Sequence, residues 1–191
     1  MAADGPCRIL LIGMMGSGKS TVGRILSSAT GWPYLDNDEL VRRSHGATAR
    51  QILADRGEAR MRQAESDALS LGATTPVPAL VGVAAGTILD PSNRERLRIA
   101  GIVVWLRADA AALESRAMGA AHRPWLDTAG GSWIGETLAE RNPLYASVAD
   151  LVIDTGTRRA TASAAEILDR LAGFAACRAA LSPVEPPAHG P

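Results

Sequence analysis

The feature that most constrains this chain is an octapeptide, Gly13-Met14-Met15-Gly16-Ser17-Gly18-Lys19-Ser20. It fits the pattern G-x-x-x-x-G-K-[ST] and has the flanks that pattern needs. An apolar run of strand length, Cys7–Ile12, precedes it. Behind it, Lys19–Ala29 carries Val22, Ile25, Leu26 and Ala29 at helical spacing, and Gly31 suits the stop. Glycines let the backbone turn so that several N–H groups face one phosphate. The following helix adds the favourable end of its dipole. Gly13, Gly16, Ser17, Gly18, Lys19, Ser20 and Thr21 are therefore the candidate nucleotide residues. Lys19 has the reach for the terminal phosphates, and the Ser20 hydroxyl can ligate Mg2+.

The rest of the chain repeats the strand-then-helix rhythm. Strands are expected at Pro33–Leu35, Ala79–Val83, Ile102–Leu106 and Leu151–Ile153. Helices are expected at Asp38–Ser44, Thr48–Arg56, Glu58–Leu71, Ser92–Ile99, Asp109–Arg116, Ser132–Arg141 and Ser163–Phe174. Thr48 with Gln51, and Ser92 with Glu95, have capping-box spacing. Apolar strands alternating with helices predict an α/β fold, a parallel sheet covered on both faces. Ligands of such folds bind at the carboxyl ends of the strands. Residues 1–6 and the proline-rich 182–191 read as loose ends around one domain, 7–175. Three glycines and Pro124 make 118–131 a mobile loop.

Composition narrows the partners. Lys and Arg total 20, as do Asp and Glu, so the net charge is zero. That argues against a general nucleic-acid binder, and aromatics at 4% leave no stacking platform for single strands. The apolar runs are too short to span a bilayer, and no signal peptide is visible. Cys7 and Cys177 form no disulfide framework and have no metal-ligand spacing. The expected location is a reducing cytoplasm, with the chain acting as a monomer on a small molecule.

Asp36 and Asp38 follow the second strand as Asp-Asn-Asp. Beside a phosphate loop, one carboxylate can hold hydrated Mg2+ and the other can orient or deprotonate a hydroxyl. A polar turn with an Asp helix cap would use the same residues. Arg62 and Glu65 can pair three residues apart as a solvated ion pair. Arg123, in the glycine-rich loop, can meet charge on a transferred phosphoryl group. Arg141 either serves the site or compensates a helix C-terminus. His45, His122 and His189 share no ligand spacing and read as surface residues.

Taken in order, these residues resemble the shikimate kinase family over residues 8–172. The matching stretches are Leu11 to Arg24, Leu35-Asp36-Asn37-Asp38, Gly57-Glu58 with Arg62 and Glu65, Arg123-Pro124, Arg141-Asn142-Pro143-Leu144-Tyr145, and Ala149-Asp150. The resemblance implies a nucleoside-monophosphate-kinase-like three-layer sandwich around a five-stranded parallel sheet, with a lid at 118–131. It implies ATP-dependent phosphorylation of shikimate to shikimate 3-phosphate. Lys19 and Ser20 would serve ATP and Mg2+, and Asp36 would hold the metal through water. Asp38 would bind the acceptor hydroxyls and act as base. Arg62 and Arg141 would clamp the carboxylate, Arg123 would contact both substrate and phosphate, and Arg116 and Arg158 would flank the adenine. Bidentate guanidinium contacts suit a small carboxylate.

The chain departs from that pattern on the acceptor side. Where the family has Gly-Gly-Gly after the third strand, this sequence has Ala84-Ala85-Gly86. Met61 and Leu53 replace aromatics, and Trp125 stands where leucine is usual. Two alternatives therefore stay open beside shikimate: a kinase of another carboxylated polyol or cyclitol, and a non-catalytic nucleotide-binding module.

Overall fold

The computed structural model describes residues 6–118 and 133–181. Residues 119–132, which hold Arg123, Trp125 and nearly all of the expected lid, lie outside the described residues, as do 1–5 and the expected tail at 182–191.

The strands are β1 (Arg8–Ile12), β2 (Tyr34–Leu35), β3 (Ala79–Gly82), β4 (Ile102–Arg107) and β5 (Leu151–Asp154). They form a parallel sheet in the order β2-β3-β1-β4-β5. β1 lies centrally, with Ile9 opposite both Leu80 and Ile102. The helices are α1 (Lys19–Thr30), α2 (Asn37–His45), α3 (Ala49–Ala73), α4 (Pro91–Ala100), α5 (Ala110–Met118), α6 (Trp133–Ala146), α7 (Ala160–Leu171) and α8 (Ala175–Leu181).

Alternate residues of β1 feed two separate cores, as strand geometry requires. Leu10 and Ile12 join Val81, Val103 and Trp105, packed against Leu97 of α4 and Ile134 and Leu138 of α6. Ile9 and Leu11 join Leu80, Val104 and Ile153, packed against Val22 and Leu26 of α1 and Ile167 and Leu171 of α7. Because both faces are covered, β1 is buried along its whole length. A smaller cluster, including Leu40, Val41, Ile52 and Met61, binds α2 to α3 beside the sheet.

The expected elements recur with informative differences. Thr48 and Gln51 do form a capping box. The two helices expected on either side of Gly57 are both present: α3 is broken between them at Gly57, whose φ of 79° and ψ of 174° are not helical. The cap of α4 is Asp90, not Ser92: its carboxylate accepts the Ser92 N–H at 2.7 Å. Pro91, next in sequence, has the φ that suits a first helical position. α6 does not stop at Arg141; it runs through Pro143 to Ala146. Pro143 lacks a donor and disfavours helix, but Tyr145 behind it is buried and stacks on Trp105 at 5.7 Å, so packing overrides propensity. α7 runs Ala160–Leu171, about one turn earlier than the apolar spacing predicts, and α8 was not expected at all.

The reading of the cysteines also needs correction. Cys7 and Cys177 form a disulfide, with Cα atoms 4.9 Å apart and a sequence separation of 170. Both are buried in the α1–α7 core. Two cysteines so distant in sequence meet only because α8 packs back on the start of β1. Among the described residues, no helix is long and apolar enough to cross a membrane.

Gly101, between α4 and β4, has a steric reason to lack a side chain. A Cβ there would lie 2.2 Å from the Arg8 carbonyl oxygen, a backbone atom that cannot step aside. Gly101→Ala should therefore destabilise the fold by about 1–3 kcal/mol, read from urea denaturation midpoints at unchanged slope.

Candidate active site

The phosphate loop begins where β1 ends. Gly13 has φ 137°, and a Cβ there would lie 2.5 Å from the carbonyl oxygen of Leu106 on β4. Gly16 and Gly18 hold φ of 85° and 98°, which L side chains rarely adopt. The Ser17 N–H turns back to the Met14 carbonyl at 3.1 Å, closing the loop. Lys19 lies over it, its Nζ donating to the Gly13 and Met14 carbonyls at 2.8 and 3.0 Å.

The loop is braced from the far side of the sheet. The Thr155 hydroxyl, just past β5, donates to the Ser17 carbonyl at 3.0 Å. Arg116 of α5 donates to the carbonyls of Gly16 and Gly156, both at 3.0 Å, and also to that of Thr155. Arg158 pairs with Glu166 of α7. Of the two arginines expected near an adenine, Arg116 is bonded to the β5–α7 turn and Arg158 lies within it, and both line the cleft. Thr155 carries no motif of its own, and nothing in its sequence neighbourhood marked it.

Asp36 uses both of its carboxylate oxygens. It caps α2, its Oδ1 accepting the Asp38 N–H at 3.1 Å. Its Oδ2 accepts the Ser20 hydroxyl at 2.8 Å. Ser20 and Asp36 together offer hard oxygen donors beside the phosphate loop, the donor chemistry Mg2+ takes when phosphates and water complete its shell. The described residues contain no group of three or more His, Cys, Asp or Glu side chains able to hold a metal ion. Asp38 is exposed to the same cleft.

The opposite wall is cationic. Arg62 donates to Glu65 at 2.9 Å and to Glu58 at 3.0 Å, so the expected i,i+3 pair exists but is not simply solvated. Burial alone would lower the Arg62 pKa; the Glu65 and Glu58 carboxylates outweigh it and raise it. Glu65 is buried, and burial holds its pKa above the usual range although Arg62 and Arg141 pull it down. Arg141 sits mid-helix in α6, so dipole compensation at a C-terminus does not explain it. Its Nη1 lies 4.0 Å from Met14 Sδ, and its Nε is buried with no hydrogen-bond partner among the described residues.

Gly86 lets Arg62 take its place. A Cβ on Gly86 would lie 1.8 Å from Arg62 Nη1. Its φ is an ordinary −82°, so contact and not backbone strain excludes a side chain. Ala84 and Ala85 line the cleft beside it. Their carbonyls are committed elsewhere: Ala84 accepts the Thr87 N–H at 3.2 Å, and Ala85 accepts the Tyr145 hydroxyl at 2.7 Å. Burial raises the Tyr145 pKa, keeping it a donor. The cleft enclosed by these walls measures about 1100 Å³. It gathers Lys19, Ser20, Asp36, Asp38, Arg62 and Arg141 from five different elements or turns.

Known proteins resemble this chain in sequence and fold. Residues 15–172 match the family model described as shikimate kinase. A shikimate kinase of Moorella thermoacetica is 38% identical over 166 residues, covering 87% of this chain and 95% of that one. One from Symbiobacterium thermophilum is 36% identical over 168 residues, covering 85% and 95%. Among solved structures, shikimate kinase from Acinetobacter baumannii in complex with shikimate superposes with a TM-score of 0.80 at 32% identity, covering 88% of this chain and 94% of that one.

Lys19 can be tested apart from any acceptor. Lys19→Met removes the charge but keeps the aliphatic stem. ADP binding, measured by calorimetry, should weaken about 10- to 100-fold, the range for losing a hydrogen bond to a charged group.

Proposed function

The chain belongs to the shikimate kinase family, and on that premise we propose that it transfers the γ-phosphoryl group of ATP to the 3-hydroxyl of shikimate. It is a phosphotransferase with an alcohol acceptor, of the P-loop kinase fold. One observation carries the assignment of roles. A phosphate loop, two acids and two arginines from separate parts of the chain line one cleft.

In this reading the loop amides and Lys19 hold the β- and γ-phosphates, and Arg116 and Arg158 flank the adenine. Ser20 and Asp36 hold Mg2+, Asp36 through water. That ion would supply neutralisation of the charge on the phosphates. Arg62 and Arg141 clamp the acceptor carboxylate. Glu58 and Glu65 hold the Arg62 guanidinium at the wall before any acceptor arrives. The Arg141 Nε, buried with no hydrogen-bond partner among the described residues, gains one when a carboxylate enters. Asp38 takes the hydroxyl proton as the new O–P bond forms and the bond to ADP breaks. Positioning and charge stabilisation supply most of the catalysis. Arg123 is assigned to the substrate and the moving phosphoryl group by resemblance alone, since it falls outside the described residues.

A monomer working in the cytoplasm, where ATP is available, is the form proposed for this chain. The methyl groups of Ala84 and Ala85 favour a second reading, a different carboxylated polyol or cyclitol in the same cleft. A coupled assay with ATP, Mg2+ and shikimate, run in parallel with such acceptors, decides between them.

Two variants test the roles. Asp38→Asn should lower kcat by at least about 100-fold while ADP binding stays intact, as expected for loss of a general base. Gly86→Ala pushes only the far end of a flexible side chain, so stability should hold. Its KM for shikimate should rise about tenfold or more as Arg62 is displaced, with KM for ATP unchanged in steady-state kinetics.

A further inference from the structure

Tyr34 takes no part in the roles given so far, yet two elements make room for it. Its ring lies between Gly23 of α1 and Gly82 of β3. A Cβ on Gly23 would come within 2.3 Å of the ring, and one on Gly82 within 2.4 Å of the hydroxyl oxygen. A helix and a buried strand thus both lack a side chain where this tyrosine passes.

The slot delivers the hydroxyl to one atom. Tyr34 Oη donates to Asp36 Oδ2 at 3.1 Å. The same oxygen accepts the Ser20 hydroxyl at 2.8 Å, while Oδ1 accepts the Asp38 N–H at 3.1 Å. Three donors from β2, α1 and α2 therefore fix a single carboxylate. A phenylalanine would fill the same space, so the hydroxyl adds orientation rather than volume.

That orientation matters for a cation. With its proton committed to Asp36, Ser20 turns lone pairs outward, as a ligand must. Ser20 keeps that proton direction only while the carboxylate holds still. Groups that orient metal-side ligands from behind commonly set affinity. We propose that Tyr34 is a positioning residue for the divalent cation, acting through the Asp36 carboxylate and the Ser20 hydroxyl. This inference rests on reading Ser20 and Asp36 as the metal side of the cleft.

The test uses Mn2+ as the probe, its binding to the protein–ADP complex followed by electron paramagnetic resonance. Tyr34→Phe and Asp36→Asn are compared with the unaltered chain, and their melting temperatures and metal-free ADP affinities are measured alongside. Tyr34→Phe should weaken Mn2+ binding about tenfold. Its melting temperature and metal-free ADP affinity should stay unchanged, and raised Mg2+ should restore its turnover. A merely structural tyrosine would move stability or ADP affinity and leave the cation's affinity alone. If Asp36→Asn weakens Mn2+ binding and Tyr34→Phe does not, the positioning role is overturned while the metal-side reading stands. If Asp36→Asn leaves Mn2+ binding intact, both are overturned.

Discussion

The chain can leave β1 in only one way. β1 is the central strand, buried on both faces, and its end runs against the Leu106 carbonyl of β4. Only a residue without Cβ passes there, so Gly13 opens the phosphate loop. That tight exit puts the loop over the carboxyl edge of the sheet and starts α1 at Lys19. From this one passage follow the place of Lys19, the reach of Ser20 to Asp36, and the side of the sheet on which every other site residue must appear.

Around that fixed point, charge is arranged by partnership. The cleft holds several arginines in a chain of zero net charge, and three of them are handled in different ways. Arg116 is spent on backbone carbonyls and stiffens the loop from below. Arg62 is held by two glutamates, which keep a half-buried guanidinium oriented at modest desolvation cost. Arg141 keeps a buried Nε without a hydrogen-bond partner among the described residues. A buried donor left unmade is costly, and a carboxylate ligand removes that cost. The wall that holds Arg62 and Arg141 is thus cationic in a chain of zero net charge.

The parallel sheet, the phosphate loop, the break at Gly57 and the cap at Thr48 were legible because each depends on local sequence. Apolar periodicity, glycine and capping spacing act within a few residues. The acids and arginines of the cleft were legible as types in a pattern, since their chemistry restricts what they do beside a phosphate. What failed were features decided at a distance. Pro143 does not end α6 because Tyr145 packs on Trp105 and bonds to Ala85. Ser92 does not cap α4 because Asp90, two residues earlier, takes its N–H. Tyr34 and Thr155 looked like ordinary strand and turn residues; only the fold brings their hydroxyls to Asp36 and to Ser17.

By itself, then, the sequence determined the layered α/β architecture, the phosphate loop and the identity of the groups available for chemistry. Those follow from backbone preferences and residue types. The tertiary structure alone decided which groups touch: the Cys7–Cys177 bond, the Arg62 seat over Gly86, and the three donors on Asp36. Such contacts join residues 2 to 170 positions apart through packing, and no local propensity encodes the distance between side chains that chain folding brings together.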